Sequence, residues 1–284
     1  MICFPNAKIN LGLNILEKRS DGYHTIETVF YPVQWCDALE VVEDRRQRTE
    51  DGTGKFKEDI KFSASGLSIE DEMKNNLCFR AYQLLKKDFQ LPPLKMHLHK
   101  IIPMGAGLGG GSADAAFTLK LLNELFHLKL KKGALKNYAA QIGSDCSFFL
   151  ENVPAIAGGK GELLEKINLS LKGFFILIVK PEVHVSTADA YRMIVPQQPE
   201  RSLKEIIKLP VYEWSRNFGM KNDFEKYVFE KFPAVSEIKN NMYQQGAVFA
   251  SMTGSGSAVY GIFEKNIYNK NDFSGSMIYE GILD

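Results

Sequence analysis

Five glycines within seven residues, Gly105, Gly107, Gly109, Gly110 and Gly111, separate two segments of different period. Before them, Leu94 to Lys100 alternates like a strand; after them, Ala115, Leu119, Leu122 and Phe126 recur at helical spacing. Glycine loses more backbone entropy on ordering than any other residue, so a run of it suits a place where the chain takes positive φ or lies close against something. An anion fits that place. The N–H groups of such a loop, with the helix dipole behind them, make a phosphate site that needs no basic side chain. Ser112 follows, placed to cap the helix and to reach a phosphate oxygen or a magnesium ion. A flexible hinge without a ligand is the plainer reading of the same residues.

The loop does not say which phosphate it holds. Gly105-Ala106-Gly107-Leu108-Gly109-Gly110 satisfies the dinucleotide pattern G-x-G-x-x-G, but the acidic residue wanted about twenty positions later would be Glu124, inside the helix. No Lys-Ser or Lys-Thr pair follows the glycines, so the Walker pattern fails. The V-A-I-K, H-R-D and D-F-G signatures of protein kinases are missing from the sequence.

At 284 residues the chain can bury a substantial core in one large domain or two modest ones. A net charge of +1 points to neither nucleic acid nor an anionic membrane as partner. The longest apolar run, Phe174 to Val179, is far too short to span a bilayer. Lys8 and Asn10 interrupt any apolar N-terminal segment, so no signal peptide is expected. Cys3, Cys36, Cys78 and Cys146 are scattered without C-x-x-C spacing, which suits reduced thiols in a soluble cytoplasmic protein.

From Ala7 to Ile15 the chain alternates, with Ile9, Leu11, Leu13 and Ile15 on one face and Lys8, Asn10, Gly12 and Asn14 on the other. This reads as a half-buried strand whose polar side faces away from the core. Asp21-Gly22 marks a turn. Tyr23 and His24 follow it and, with Phe30 and Tyr31 on the next strand-like run (25–33), offer either a base-stacking surface or ordinary packing. Residues 38–43 form another strand, and 44–59 read as a charged, mobile surface loop. A helix follows Lys61-Phe62-Ser63, capped by Asn76. His97 and His99 fall on the polar face of the 94–100 strand, with no third residue suitably spaced for a metal. A short helix over 134–142 precedes Gly143-Ser144-Asp145-Cys146, where Asp145 reads locally as a cap, Cys146 as packing, and Phe148-Phe149-Leu150 as buried sequence. Gly158-Gly159-Lys160-Gly161 is the candidate domain boundary. Beyond it come a buried strand over 174–179, a helix over 188–194 capped by Ser186 or Thr187, a helix over 233–245, and strands over 247–253 and 258–263. The turn joining those strands, Gly254-Ser255-Gly256-Ser257, either closes over the first loop's ligand or is a plain hairpin. Residues 265–284 carry no functional signal.

Three of these stretches together match a known pattern. Pro5-Asn6-Ala7-Lys8-Ile9-Asn10-Leu11, Pro103 to Ala116, and Met252-Thr253-Gly254-Ser255-Gly256-Ser257 resemble the three motifs of the GHMP small-molecule kinases. Arg19-Ser20-Asp21-Gly22-Tyr23-His24, with Gly143-Ser144-Asp145, is similar to the branch of that family whose acceptor is a cytidine-diphosphate alcohol of isoprenoid synthesis. Ala106 and Ala113-Asp114 depart from residues that are commonly Gly and Ser-Asn in relatives; Asp114 reads as compensation of the helix dipole. The resemblance implies an α+β, two-domain fold. An N-terminal ribosomal-S5-domain-2-like domain (1–159) and a C-terminal ferredoxin-like domain (160–284) would have the active site between them. It also implies ATP and Mg2+ as cofactors, with ATP phosphates held by Pro103, Met104, Gly105, Ala106, Gly107, Leu108, Gly109, Gly110, Gly111 and Ser112. Lys8 and Asp145 would be catalytic. Asn10 and Thr187 would hold the acceptor's polyol end, and Tyr23, His24, Phe30 and Tyr191 its cytosine. The expected partners are ATP and the small-molecule alcohol, with no nucleic acid or membrane, in a monomer or weak homodimer. A related kinase of a smaller alcohol such as mevalonate or homoserine, and a non-catalytic nucleotide-binding protein, are the rival readings.

Overall fold

The computed structural model describes residues 1–44, 59–69, 75–216 and 219–284. The interior of the charged 44–59 stretch therefore lies outside the described residues. In chain order the elements begin with β1 (Ile2–Cys3), β2 (Asn6–Lys18), β3 (His24–Cys36), β4 (Ala38–Glu43), β5 (Ile60–Gly66), α1 (Leu77–Asp88) and β6 (Leu94–Lys100). Next come α2 (Gly110–Leu125), α3 (Lys132–Ile142), α4 (Cys146–Glu151), β7 (Ala155–Gly158), β8 (Leu163–Lys166) and β9 (Phe175–Lys180). The chain ends with α5 (Thr187–Met193), α6 (Leu203–Ile206), α7 (Glu213–Arg216), α8 (Glu225–Lys231), α9 (Pro233–Gln244), β10 (Phe249–Met252), β11 (Val259–Phe263) and β12 (Met277–Ile282). These elements divide into two compact units, each made of discontinuous segments.

The first unit comprises Met1–Asn6, Cys36–Ile102 and Gly110–Asn152. Its sheet runs β1-β4-β6-β5, antiparallel between β4 and β6 and parallel between β5 and β6. The alternation of β6 sends Leu94, Met96 and Leu98 into a core with Leu39 and Val41 of β4 and the apolar faces of α1, α2 and α3. From α2 this core takes Ala115, Leu119 and Leu122, and each buried leucine contributes roughly 1.5–3 kcal/mol. His97 and His99 hydrogen-bond to Ser63 and Ser65 across the β5–β6 pair. Strand β5 is not apparent in the sequence, because an edge strand reading Ile-Lys-Phe-Ser-Ala-Ser-Gly is mostly exposed and lacks a buried alternating face. Phe148 and Phe149 are buried as expected, but within helix α4.

Inside this unit lies a charged cluster. The Lys100 ammonium, 2% exposed, donates to Oδ2 of Asp37 and, at 2.8 Å, to Oδ2 of Asp114. Asp37 Oδ1 accepts the backbone N–H groups of Ile101 (2.6 Å) and Ile102 (2.8 Å). Asp114 thus points into the unit, one residue beyond the first turn of α2, and pairs with a lysine rather than compensating the helix dipole. Burial would lower the Lys100 pKa, but the two carboxylates outweigh it and raise it. The Asp114 carboxyl is pushed up to about 7, first by burial and then, against the Lys100 charge, by Asp37. Its Oδ1 has no hydrogen-bond partner, as expected where two carboxylates share one cation.

The second unit comprises Ala7–Trp35, Pro103–Gly109 and Val153–Asp284. One sheet runs β2-β3-β7-β8 and another β10-β11-β9-β12. In the latter, numbering its strands one to four along the chain gives the spatial order 2-3-1-4, with β9 antiparallel to both neighbours. A central strand is buried on both faces, hence the unbroken Ile176-Leu177-Ile178-Val179 run. Strand β12 escapes a sequence reading because this edge strand has no clean alternation and only partial burial. Gly158 to Gly161 forms the β7–β8 turn, with Gly161 N–H donating to Gly158 O at 2.9 Å. Strand β2 differs from the half-buried strand expected. Lys8, Asn10 and Asn14 are 3%, 2% and 4% exposed, so its polar side faces other protein groups, not water.

Replacing Asp114 by asparagine removes the second carboxylate while keeping an acceptor for Lys100. A carboxyl raised above its ordinary 3.8 holds its proton more tightly in the folded state, so its stabilisation is present below that value and is lost as pH rises through about 7. Urea titrations at pH 5 and 8 are expected to show wild type losing more than about 1 kcal/mol relative to Asp114→Asn. Parallel pH profiles for the two proteins would refute the account.

Candidate active site

The glycine loop and strand β2 meet through backbone and side chain alike. Lys8 N–H donates to Leu108 O at 2.9 Å. The Lys8 ammonium donates to Gly107 O at 2.9 Å and to Asn10 Oδ1 at 2.6 Å. A buried ammonium needs such acceptors, because an uncompensated charge in a dry site is costly. The ring of Phe30 on β3 lies beneath it, 5.0 Å from nitrogen to centroid.

Asn10 Oδ1 also accepts from Gly254 N–H at 2.9 Å and Thr253 Oγ1 at 3.1 Å. The Asn10 amide donates to Thr28 Oγ1 at 2.8 Å, and that hydroxyl donates to Gly12 O. Tyr260 Oη donates to Asn10 O at 2.8 Å. Every polar group of Asn10 is therefore engaged, which fixes its rotamer. The Gly254–Ser257 turn joins β10 and β11 as a hairpin and also touches the first glycine loop. Ala258 N–H donates to Ala106 O at 3.3 Å, and Thr253 Oγ1 lies 3.0 Å from Gly107 O. A Cβ on Gly107, whose φ is +79°, would stand 1.9 Å from Thr253 O, so only glycine permits the approach.

Ser186 caps α5 by accepting from Asp189 N–H at 3.2 Å, and Thr187 Oγ1 lies 2.8 Å from Ser255 Oγ. Asn10 and Thr187 thus both address the 253–256 turn. On α5, Tyr191 stacks against His24 with centroids 5.1 Å apart and meets Phe224 edge-on at 4.8 Å. Burial, with the Lys18 charge adding to it, lowers the His24 pKa, favouring a neutral imidazole. Tyr23 is 59% exposed with the Lys160 ammonium 4.3 Å from its ring centroid. Phe30 stands six residues from His24 along one strand, about 20 Å away at roughly 3.3 Å per residue. Its ring packs with the Lys8 ammonium.

Gly110, Gly111, Ser112 and Asp145 belong to the first unit. Helix α2 begins at Gly110, so Ser112 is its third residue and not its cap. Asp145 occupies the position before α4, but its side chain makes no capping hydrogen bond; Ser144 Oγ donates to its Oδ1 at 3.3 Å. The local expectation of a cap therefore fails. Cys146 is packing, as expected: burial pushes its thiol up to about 12.

One residue of this constellation carries no recognisable sequence signal. Asn222, 2% exposed, donates from Nδ2 to Met252 O at 2.9 Å and Gly254 O at 2.7 Å, carrying the turn from the far side. Its only trace in sequence is a polar pair, Asn222-Asp223, before an apolar residue.

Comparison with known proteins gives a consistent picture. Residues 76–159 match the family described as GHMP kinases N terminal domain, and residues 205–271 match GHMP kinases C terminal. A 4-diphosphocytidyl-2-C-methyl-D-erythritol kinase of Bacteroides fragilis is 51% identical over 284 residues, covering 99% of this chain and 98% of its own. One from Parabacteroides distasonis is 48% identical, covering all of both chains. Among solved structures, a 4-(cytidine 5'-diphospho)-2C-methyl-D-erythritol kinase superposes with a TM-score of 0.79 at 28% identity, covering 100% of this chain and 99% of that one. The Methanococcus jannaschii mevalonate kinase shares the fold, with a TM-score of 0.71 at 16% identity.

Gly107→Ala tests the contact between the two glycine motifs. It adds a clash to an unfavourable φ, whereas Gly22→Ala, at φ +83° with open space around it, adds only the latter. Denaturant unfolding is expected to show a loss of about 1 kcal/mol for Gly22→Ala and more than about 3 kcal/mol for Gly107→Ala. Equal losses would mean that the approach to Thr253 is not tight.

Proposed function

From the premise that this chain belongs to the GHMP kinase family, we propose that it transfers the γ-phosphoryl group of ATP to the 2-hydroxyl of 4-diphosphocytidyl-2-C-methyl-D-erythritol. This step belongs to the methylerythritol phosphate route to isoprenoid precursors. The enzyme is a phosphotransferase with an alcohol acceptor. The observation that carries the reading is the Lys8 ammonium held 2.9 Å from Gly107 O, a fixed cation on the very loop whose backbone suits phosphate.

The loop from Pro103 to Ser112 holds the ATP phosphates through N–H groups and the dipole of α2. Phosphoryl transfer passes through a loose transition state, so catalysis rests on positioning and charge neutralisation. Lys8 and Asp145 are the proposed catalytic residues, Lys8 stabilising charge on the moving group. Asp145 orients the acceptor hydroxyl and takes its proton late in transfer. Asn10 and Thr187 hold the polyol end. His24, Tyr191 and Tyr23 surround cytosine, with rings for stacking and the His24 backbone for the base edge. Phe30, whose ring also meets the Lys8 ammonium, lines the same pocket, as the family resemblance implies.

Among the described residues no three His, Cys, Asp or Glu side chains converge on a metal position. That fits a magnesium ion arriving with the nucleotide and keeping its waters; bound there, it would neutralise phosphate charge. The proposed functional division into 1–159 and 160–284 is supported by family segments on either side of that boundary, whereas the compact units of the fold are discontinuous in sequence and keep the boundary, in the β7–β8 turn, within the second unit. Free thiols at all four cysteines support a cytoplasmic location, and among the described residues no helix is long and apolar enough to cross a membrane. A monomer or weak homodimer suffices for this chemistry.

ATP consumption assayed in parallel with the cytidyl alcohol, mevalonate and homoserine, with the product mapped by phosphorus NMR, is expected to show a new phosphomonoester only with the first. Phosphorylation of either smaller alcohol instead would overturn the substrate assignment. Asp145→Asn is expected to lower turnover at least about a hundredfold while ATP affinity, measured by calorimetry, stays nearly unchanged. Wild-type turnover in that variant would remove Asp145 from the mechanism.

A further inference from the structure

We propose that Asn222 is a positioning residue for phosphoryl transfer, acting through the Gly254 turn and Asn10 on the Lys8 ammonium. This rests on the role given to Lys8 above. The segment carrying Asn222 is itself anchored on β2. Leu13 N–H donates to Lys221 O and Asp223 N–H to Leu13 O, both at 2.9 Å, while Ile15 N–H donates to Asp223 Oδ2 at 2.8 Å. Asn222 therefore leaves a fixed backbone. Its Oδ1 accepts Phe224 N–H at 3.0 Å, which orients the amide and directs both Nδ2 hydrogens to Met252 O and Gly254 O. The two carbonyls lie on either side of Thr253. Holding both sets the path of the turn and aims Gly254 N–H and Thr253 Oγ1 at Asn10 Oδ1. That same oxygen receives the Lys8 ammonium at 2.6 Å.

The chemistry of the amide is specific. A carboxylate of the same shape has no hydrogen to donate and would set a negative charge against two carbonyl oxygens. A hydrocarbon would leave both carbonyls unpaired in a buried site. Either change releases the turn while leaving the hydrophobic contacts of β10 and β11 in place. Glu225 supports the neighbouring strand separately, accepting Met252 N–H at 2.8 Å and Ser251 Oγ at 3.0 Å, so β10 keeps its own anchor when Asn222 is changed.

The test compares Asn222→Asp and Asn222→Ala with Val235→Ala, a cavity variant in the same unit's core, at temperatures equally far below each protein's unfolding midpoint. Misplacement of reacting groups by about 1 Å can cost on the order of a hundredfold. The expected result is a kcat about tenfold to a hundredfold below that of Val235→Ala, with KM for ATP and for the alcohol changed less than about threefold. On a Lys8→Ala background, Asn222→Asp is expected to cost less than about threefold more, because the two act on one element. A kcat equal to that of Val235→Ala, full additivity with Lys8→Ala, or failure of both Asn222 variants to fold would overturn the proposal. A Lys8→Ala enzyme with wild-type turnover would instead overturn the role of Lys8, an outcome distinct from any result at Asn222.

Discussion

A single side-chain oxygen, Oδ1 of Asn10, receives the Lys8 ammonium, the Gly254 N–H and the Thr253 hydroxyl. Two stretches of sequence separated by more than 200 residues are thereby tied to one point. An amide oxygen has two lone pairs, so three donors converging on it polarise one another and leave little freedom to any. The site is buried, and each donor that loses this acceptor would have no water to replace it. The energetic asymmetry of buried hydrogen bonds, modest when made and costly when broken, turns this node into a geometric specification.

A second buried polar cluster lies within the other unit. Lys100 and the N–H groups of Ile101 and Ile102 precede the glycine loop; Asp114 follows it on α2. Asp37 and Lys100 bind these pieces to each other. Two charges of one sign against one of the other is an unfavourable balance in a dry environment, and the raised Asp114 pKa comes first from burial and then from the Asp37 charge, against Lys100. An asparagine at that place would avoid the conflict.

Much of this was legible in the sequence where local chemistry and global role coincide. The strand, glycine loop and helix around residue 105 could be read because glycine at positive φ has few other uses. The alternation of Ile9, Leu11, Leu13 and Ile15 gave the strand, but not that Lys8 and Asn10 on its other side were buried. Period two reports one apolar face and cannot distinguish a polar face in water from one facing polar protein groups. Strands β5 and β12 left no pattern because edge strands bury little. Asn222 was invisible for a different reason. Its partners are backbone carbonyls some thirty residues away in sequence, and a carbonyl has no residue type to read.

The placement of charge follows from the chemistry the chain performs. A phosphate site built from lysines and arginines would grip substrate and product alike, which lowers KM without raising kcat. The proposed site instead gives phosphate binding to backbone N–H groups, and the Lys8 cation is held on Gly107 O and Asn10 Oδ1. A cation so fixed cannot follow the phosphoryl group; it favours whichever arrangement brings developing charge to it, which is a preference for the transition state. Its usefulness then depends on how rigidly its acceptors are held. That places the polar residues behind the site, Asn10, Thr28, Thr253 and Asn222, in the service of a single ammonium group.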